Sequence, residues 1–184
     1  MMKKILSILG IAASIAAYAQ GTLIINNYTI YDYRGDVIAH NLFAPCYPRV
    51  VNNVPIIVPA NSNTGTGTQL QYDNFRDQYT SSLYPMAEWS VATSPNTTNV
   101  RPWDHPALVP GGTFSNNTRW GITKFGMVYA GTNNNVVGFS ANIAIAGNPC
   151  YTYPDYFTTP SGANSGEMFT ITSGSQVTTY LQLY

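Results

Sequence analysis

Cysteine occurs only twice in this chain, and its two positions limit the available chemistry. Cys46 and Cys150 each occur in a Pro-Cys-Tyr context. A zinc site needs a full set of ligands at recognisable spacing, and no histidine is close to either cysteine in the sequence. An isolated pair in an oxidising compartment is most simply one disulfide. We therefore predict a Cys46–Cys150 bridge and no metal site; a reactive thiol pair or a metal pair is the alternative.

Histidine also occurs twice, as His40 and His105, and the second has neighbours of chemical interest. It belongs to the run Arg101-Pro102-Trp103-Asp104-His105-Pro106. An aspartate beside a histidine can orient the imidazole, and a tryptophan offers a stacking face to a sugar or an aromatic ligand. We predict that Trp103, Asp104 and His105 bind a ligand. The alternative is that Trp103 fills one end of the core and the polar groups cap loop backbone.

Aromatic residues are unusually frequent, with 14 tyrosines, 7 phenylalanines and 3 tryptophans. Four of them lie just after Cys150 in a loop-like stretch, Tyr151-Thr152-Tyr153-Pro154-Asp155-Tyr156-Phe157. Tyrosine combines a large contact face with a polar tip and loses little entropy on binding, which suits carbohydrate-binding and adhesive surfaces. We therefore add Tyr153 and Tyr156 to the predicted ligand-binding residues. The alternative is that many of these rings fill a core poor in leucine.

Catalytic motifs are missing from the sequence. A serine hydrolase would need a nucleophile, a base and an orienting acid, and no Gly-x-Ser-x-Gly elbow is present. The chain has 8 acidic residues, but no spacing singles out the pair of carboxylates that a glycosidase requires. No run of alternating aspartates indicates an EF-hand-type calcium loop. We predict a protein without catalytic residues or cofactor; a hydrolase of unfamiliar type is the alternative.

The N-terminal segment, residues 1–19, is typical of a cleavable export signal. Lys3 and Lys4 precede the apolar run Ile5 to Ile15, and Ala17-Tyr18-Ala19 supplies the small-x-small cleavage pattern. The apolar run is shorter than the roughly 20 residues that span a bilayer, so no transmembrane segment is expected in the mature chain. We predict one exported domain, residues 20–184, that is secreted, periplasmic or attached to the cell surface.

Charged residues make up only 9% of the chain, against a usual value of about 25%. The formal net charge is zero, and loss of the two N-terminal lysines makes it slightly negative. Nothing in this composition attracts a polyanion, so we expect no nucleic-acid partner. Apolar and aromatic residues are plentiful, which indicates a folded domain rather than a disordered one.

Alternation of apolar and polar residues dominates the pattern, with no helical stripe. The clearest example is Val136 to Ala146, where Val137, Phe139, Ala141, Ile143 and Ile145 would share one face. The predicted fold is an all-β, single-domain antiparallel sandwich of about eight to ten short strands, jelly-roll or immunoglobulin-like. The other predicted strands are Thr22–Asn26, Tyr28–Tyr33, Val37–Asn41, Val54–Val58, Thr66–Tyr72, Glu88–Ala92, Trp120–Ala130, Met168–Thr172 and Val177–Tyr184.

Turn signals separate these strands. Arg34-Gly35-Asp36 and Asn133-Asn134-Asn135 are each suited to a hairpin reversal, because glycine and asparagine tolerate positive φ. The segment from Pro85 to Gly112 is rich in proline, which cannot donate to a sheet ladder. We predict that this segment is the least regular part of the domain and covers an edge or an end of the sandwich.

Three classes of function are compatible with this sequence. The first is an exported binding module that recognises a carbohydrate or another cell-surface polymer through exposed aromatic residues. The second is a self-associating structural subunit of a surface fibre, favoured by low charge and a C-terminal strand. The third is a membrane-active, pore-forming β-protein, although a barrel would need an uninterrupted series of strands.

Overall fold

Short strands make up most of the protein, which we describe from a computed structural model covering residues 21–75 and 83–184. The predicted signal peptide, residues 1–19, lies outside the described residues. The elements in chain order are β1 (Thr22–Asn27), β2 (Tyr31–His40), β3 (Arg49–Asn52), β4 (Ile56–Val58), β5 (Leu70–Tyr72), β6 (Glu88–Ser94), β7 (Thr97–Pro102), α1 (Thr113–Asn116), β8 (Arg119–Tyr129), β9 (Asn135–Ala144), β10 (Tyr156–Thr158), β11 (Ser165–Ser173) and β12 (Gln176–Leu183).

The strands form two sheets that pack against each other, so the prediction of an all-β sandwich is confirmed. Sheet A has five strands in the order β10-β11-β12-β1-β5. Sheet B has seven, in the order β7-β6-β3-β2-β8-β9, with β4 beside β3 on the same edge of β2. One pairing of the described strands departs from the antiparallel expectation, because β1 runs parallel to β12, with Thr22 opposite Thr178.

Aromatic rings fill the centre of the sandwich. Trp89 and Trp120 of sheet B are buried with their ring centroids 5.9 Å apart. Tyr72 of sheet A contacts both of them, and so does Phe75. Trp89 Nε1 donates to the Phe75 carbonyl at 2.8 Å, and the Tyr72 hydroxyl donates to the Tyr84 carbonyl at 2.7 Å. These rings therefore bury a large apolar area while two of their polar atoms keep hydrogen-bond partners.

A buried asparagine joins β2 to the two short strands on its edge. Between β3 and β4 the chain leaves the edge of β2, and the Asn52 side chain occupies this interruption. Its Oδ1 accepts from the Val37 backbone N–H at 2.7 Å. Its Nδ2 donates to the Val54 carbonyl at 2.7 Å and to the Asp36 carboxylate at 2.9 Å. The side chain thus replaces the main-chain partners that a continuous strand would supply.

The predicted hairpin turn at Arg34-Gly35-Asp36 is wrong, because these residues lie inside β2. A Cβ atom on Gly35 would lie 2.5 Å from the Lys124 carbonyl oxygen and 2.7 Å from Phe125 Cβ. Glycine is therefore needed here for the close approach of β2 to β8, and not for a reversal. The other predicted reversal, at residues 133–135, does connect β8 to β9.

Two further predictions need correction in sheet B. Phe139 and Ile143 of β9 face the core, as predicted, but Val137 is 96% exposed. The register between β8 and β9 shifts between Gly126 and Val128, and Val136 packs against the core instead. The segment Pro85–Gly112 does lie at an edge, but it contains the regular hairpin of β6 and β7.

The predicted disulfide between Cys46 and Cys150 is present. It joins the β2–β3 loop to the β9–β10 loop, with Cα atoms 5.9 Å apart. Tyr151 and Tyr153 of the second loop pack on Ile38, Ile122 and Ala144, which form a small second core. Since Ile38 lies between the core residues Val37 and Ala39 in β2, this second core covers the outer side of sheet B.

We expect the Cys46→Ala/Cys150→Ala double variant to unfold at a lower urea concentration. The bridge closes a loop of 104 residues, and loss of such a cross-link lowers the free energy of unfolding by about 2–4 kcal/mol. Equilibrium urea denaturation measures the difference. The double variant should not respond to a reductant, whereas the wild-type protein should. Equal midpoints for the two proteins would contradict this role of the disulfide.

Candidate functional site

The predicted ligand-binding residues do not form one site. Trp103 is half-buried and packs against the main core, which agrees with the structural alternative for this residue. Asp104 is exposed, and His105 Nδ1 accepts from the Ala107 backbone N–H at 3.2 Å. This segment follows β7, at the edge of sheet B opposite β9. Tyr153 packs near the β9 side of sheet B, and Tyr156 belongs to β10 of sheet A.

Tyr156 is part of a larger group of rings on the outer side of sheet A, which we call the aromatic face. Its members are Tyr28, Tyr156, Phe169, Tyr180 and Tyr184. Phe169 and Tyr180 are direct cross-strand neighbours whose rings stack with centroids 5.3 Å apart. Tyr28 and Tyr184 stack at 5.5 Å with an interplanar angle of 7°. The aromatic face therefore carries two stacked pairs and one further ring.

Strand register explains why these rings point outward. Met168 and Leu181, which are paired across β11 and β12, are buried in the core. Their neighbours Phe169 and Tyr180 must face the other way, because side chains alternate along a strand. By the same argument Glu167 faces outward, and Tyr156 lies opposite it on β10. The rings thus occupy neighbouring strands on a single surface.

Solvent reaches most of the aromatic face. Tyr156 is 54% exposed, Tyr184 49% and Tyr28 41%, while Phe169 and Tyr180 are half-buried. Large apolar groups exposed together on one surface are a recognised mark of a binding site. The face also includes Ile171, which is 52% exposed near the tip of the β11–β12 hairpin.

Hydrogen-bonding groups lie among these rings, and almost none of them is charged. The five strands of sheet A contain one ionisable acid, Glu167, and no lysine, arginine or histidine. The Tyr184 hydroxyl donates to Glu167 Oε1 at 3.3 Å. Burial and the Glu167 carboxylate raise the pKa of Tyr184, so its phenol stays protonated at neutral pH. The aromatic face can therefore contact a ligand by ring stacking and by hydrogen bonding.

Sequence reasoning found Tyr156 but missed Tyr28, Phe169, Tyr180 and Tyr184. Each of the last three is one ring in an alternating pattern that predicts a strand without saying which face meets solvent. The stacked pairs arise only when β11 pairs with β12 and the residue after β1 meets the C-terminus. The alternation of Phe169 and Ile171 with polar residues was the available signal, and it does not identify partners.

The outer side of sheet B differs from the aromatic face in its charge. A shallow groove of about 400 Å³ there is lined by Arg34, Asp36, Lys124 and Asn142 among others. Asp36, Lys124 and Asn142 are cross-strand neighbours on β2, β8 and β9. Lys124 Nζ lies 5.8 Å from the centre of the Tyr153 ring, which is a cation–π contact. Tyr153, one of the predicted ligand-binding residues, therefore already has a partner within the protein. Arg34 Nη1 donates to Asn133 Oδ1 at 3.1 Å, and the Asp36 carboxylate accepts from Asn52 Nδ2 at 2.9 Å, so two of these polar groups already have partners.

A buried histidine lies beneath the disulfide-linked loops. His40 is fully buried, with its ring edge-on to Tyr151 at 5.4 Å. Its Nδ1 lies 2.9 Å from the Asn41 carbonyl, and its Nε2 lies 3.0 Å from Asn148 Nδ2. A neutral imidazole with its proton on Nδ1 satisfies both contacts, donating to the carbonyl and accepting from the amide. His40 therefore has a structural role in holding the β9–β10 loop.

Electrostatics agree with a neutral His40. Burial lowers the pKa of His40 and the charge of Arg49 lowers it further, against an opposing effect of the hydrogen bond with Asn41. Gly121 makes room for this ring, because a Cβ there would lie 2.9 Å from His40 Nε2. The Gly121 carbonyl also accepts from Asn148 Nδ2 at 3.2 Å.

Residues 21–75 and 83–184 contain neither a metal-ligand cluster nor a membrane-length apolar helix. No group of three or more histidine, cysteine, aspartate or glutamate side chains is placed to hold a metal ion in these ranges. None of the helices there has the length and apolar character needed to cross a membrane.

The fold and surface define a disulfide-bonded β-sandwich whose aromatic face carries one acidic residue, Glu167. Comparison of the chain with protein-family profiles, with curated proteins and with solved structures gives no match. The function must therefore be argued from the surface itself.

We expect acid to destabilise the protein through His40. The pKa of His40 in the folded state lies below its ordinary value of about 6.5, so the unfolded chain takes up the proton first as the pH falls. This contribution to stability is fully present above about pH 6.5 and decreases below it, by at most about 1.4 kcal/mol per pH unit. Urea denaturation between pH 5 and pH 8 measures the slope.

A His40→Gln variant should lose part of that slope, although it will be less stable at every pH. His105→Gln is the matched control, because it removes the other histidine of the chain, which lies on the surface loop after β7. The assignment of the pH dependence to His40 would be overturned if His105→Gln reduced the slope of stability against pH more than His40→Gln does.

Proposed function

We propose that this protein is an exported, non-catalytic binding module that binds a neutral glycan polymer on the aromatic face of sheet A. The observation that carries the proposal is the alignment of outward-facing rings, exposed or half-buried, on the neighbouring strands β10, β11 and β12. A β-sheet holds these rings in fixed positions, so little conformational entropy is lost when a ligand binds.

Ring chemistry favours a sugar as the ligand. The apolar face of a pyranose presents C–H groups that pack on an aromatic ring, while its hydroxyls need hydrogen-bond partners. The aromatic face supplies rings from Tyr156, Tyr180 and Tyr184, with the Glu167 carboxylate between them. Rings that extend along the strands can contact more than one sugar unit, which favours a polymer over a monosaccharide.

Charge favours a neutral polymer. An acidic polysaccharide would need lysine or arginine on the binding surface, and sheet A has neither within its strands. The single acid, Glu167, would repel an anionic chain but can accept hydrogen bonds from hydroxyl groups.

Export is part of the same proposal. The N-terminal pattern predicts a signal peptide, and the Cys46–Cys150 disulfide is of the kind that persists outside the reducing cytosol. A binding module at the cell surface or in the periplasm would encounter polysaccharide there.

Tyr156→Ala and Tyr180→Ala should each weaken binding to a neutral polysaccharide about tenfold, because each removes a stacking surface worth about 1.4 kcal/mol. Affinity electrophoresis against mannan, xyloglucan, β-glucan and soluble chitin derivatives would identify the polymer and measure the loss. Alginate and heparin serve as anionic comparisons and should not retard the protein.

The matched control is Tyr129→Ala, which removes a tyrosine that is 50% exposed at the end of β8, in sheet B. It should bind like the wild-type protein. The proposal fails if no neutral polymer retards the protein, or if Tyr129→Ala weakens binding as much as the variants of sheet A.

A second candidate function is self-assembly, and β7 is the observation in its favour. This strand forms an edge of sheet B, and five of its six residues are exposed. An unpaired edge can add a strand from another molecule. Sedimentation velocity over a range of protein concentrations tests this, and a Val100→Lys change on β7 should dissociate any assembly that forms through that edge.

A further inference from the structure

A cavity beside the disulfide-linked β2–β3 loop lies apart from both sheet faces discussed above. It has a volume of about 290 Å³ and is lined by Asn41, Leu42, Phe43, Asn116, Asn117 and Arg119. The first three residues belong to the loop, the two asparagines lie at the end of α1, and Arg119 begins β8. Two parts of the chain distant in sequence, residues 41–43 and 116–119, therefore meet at its walls.

An exposed phenylalanine stands on the rim of this cavity. Phe43 is 80% exposed. The loop that carries it is closed by hydrogen bonds: Asn41 Oδ1 accepts from the Phe43 N–H at 2.9 Å, and the Cys46 N–H donates to the Phe43 carbonyl at 2.7 Å. Cys46 is in turn fixed by its disulfide to Cys150. The fold thus holds a large apolar ring in water on a restrained loop, where a ligand can cover it.

Arg119 supplies a positive charge at the wall of the same cavity. Its side chain is half-buried, and its Nη1 donates to the Thr118 carbonyl at 3.2 Å. Burial lowers the pKa of Arg119, and no described acidic residue opposes that effect. The guanidinium nevertheless stays charged at neutral pH, because its ordinary pKa is far above 7. A partly desolvated cation without a carboxylate partner favours an anionic ligand.

The two asparagines add acceptors for hydroxyl groups. Asn116 Nδ2 donates to the Gly111 carbonyl at 3.0 Å, and Asn117 Nδ2 donates to the Thr113 carbonyl at 2.7 Å. These bonds fix both amides and leave their Oδ1 atoms to accept from a ligand. The cavity therefore combines a fixed cation, two oriented amides and an apolar ring.

We propose that this cavity binds a sugar acid of the hexuronate type. Its carboxylate pairs with the Arg119 guanidinium, its ring packs on Phe43, and its hydroxyls donate to the side chains of Asn116 and Asn117. A volume of about 290 Å³ accommodates one sugar ring but not a polymer segment of several units. This site is separate from the aromatic face, and it would bind a charged monosaccharide or chain end rather than a neutral polymer.

The test uses three probes: D-glucuronate, D-glucose and acetate, titrated at constant ionic strength and followed by isothermal calorimetry and by NMR of the side-chain amides. Glucuronate should bind at least about tenfold more tightly than either glucose, which lacks the carboxylate, or acetate, which lacks the ring. The amide signals of Asn116 and Asn117 should shift on binding.

Two variants locate the site. Phe43→Ala removes an exposed ring without disturbing the core, and Arg119→Gln removes the charge; each should weaken glucuronate binding at least about fivefold. Arg34→Gln is the control, because Arg34 is an exposed arginine on the outer side of sheet B. Arg34→Gln should leave the affinity unchanged.

Several outcomes would overturn the proposal. These are equal affinity for glucose and glucuronate, equal affinity for acetate and glucuronate, or unchanged glucuronate binding in Phe43→Ala. The last result decides the matter even if Arg119→Gln does not fold. Because none of the probes is a polymer and the variants lie outside sheet A, failure here leaves the proposed polymer binding unaffected. Loss of polymer binding in the variants of sheet A leaves this site unaffected in the same way.

Discussion

Buried backbone groups need hydrogen-bond partners, and this requirement governs the structure of a chain with so few charged residues. Asparagine side chains meet it where strands are interrupted. Asn27, fully buried at the end of β1, donates to the Tyr31, Val58 and Pro59 carbonyls. Asn52 does the same beside β2, and Asn148 links the β9–β10 loop to β8. At these places the strands can therefore end or bulge while the neighbouring backbone groups keep hydrogen-bond partners.

The same requirement leaves the two sheets with different outer surfaces. Asp32, one of the few acids, is buried, and its carboxylate accepts from the Ala60 and Gly131 backbone N–H groups, each at 2.8 Å. In sheet B, charged groups and covering loops occupy the outer side. On the outer side of sheet A, Glu167 is the single acid within the strands, and it lies among aromatic, aliphatic and uncharged polar side chains. The outer side of sheet B is thus polar and that of sheet A aromatic, so the two sides suit ligands of different chemistry.

Local pattern was sufficient to predict the all-β class, most strands and the disulfide. It failed at Gly35, because a glycine required for close strand approach looks the same in sequence as one required for a turn. It failed at Val137, because a register shift is set by the partner strand and not by the residue itself. Of the candidate site it identified Tyr156 alone. The remaining rings of the aromatic face become neighbours only through strand pairing, which one sequence does not display.

The parallel pairing of β1 with β12 also affects the order in which parts of the protein can fold. Each residue of the opening strand finds its partner near the C-terminus, so the centre of sheet A cannot be completed until the whole chain is present. Such non-local pairing slows folding, since a long loop must close before the contact forms. Because the N-terminus is synthesised first, one edge of β1 stays unpaired until β12 has been synthesised. Sheet A consequently closes only after the C-terminal strand has been synthesised.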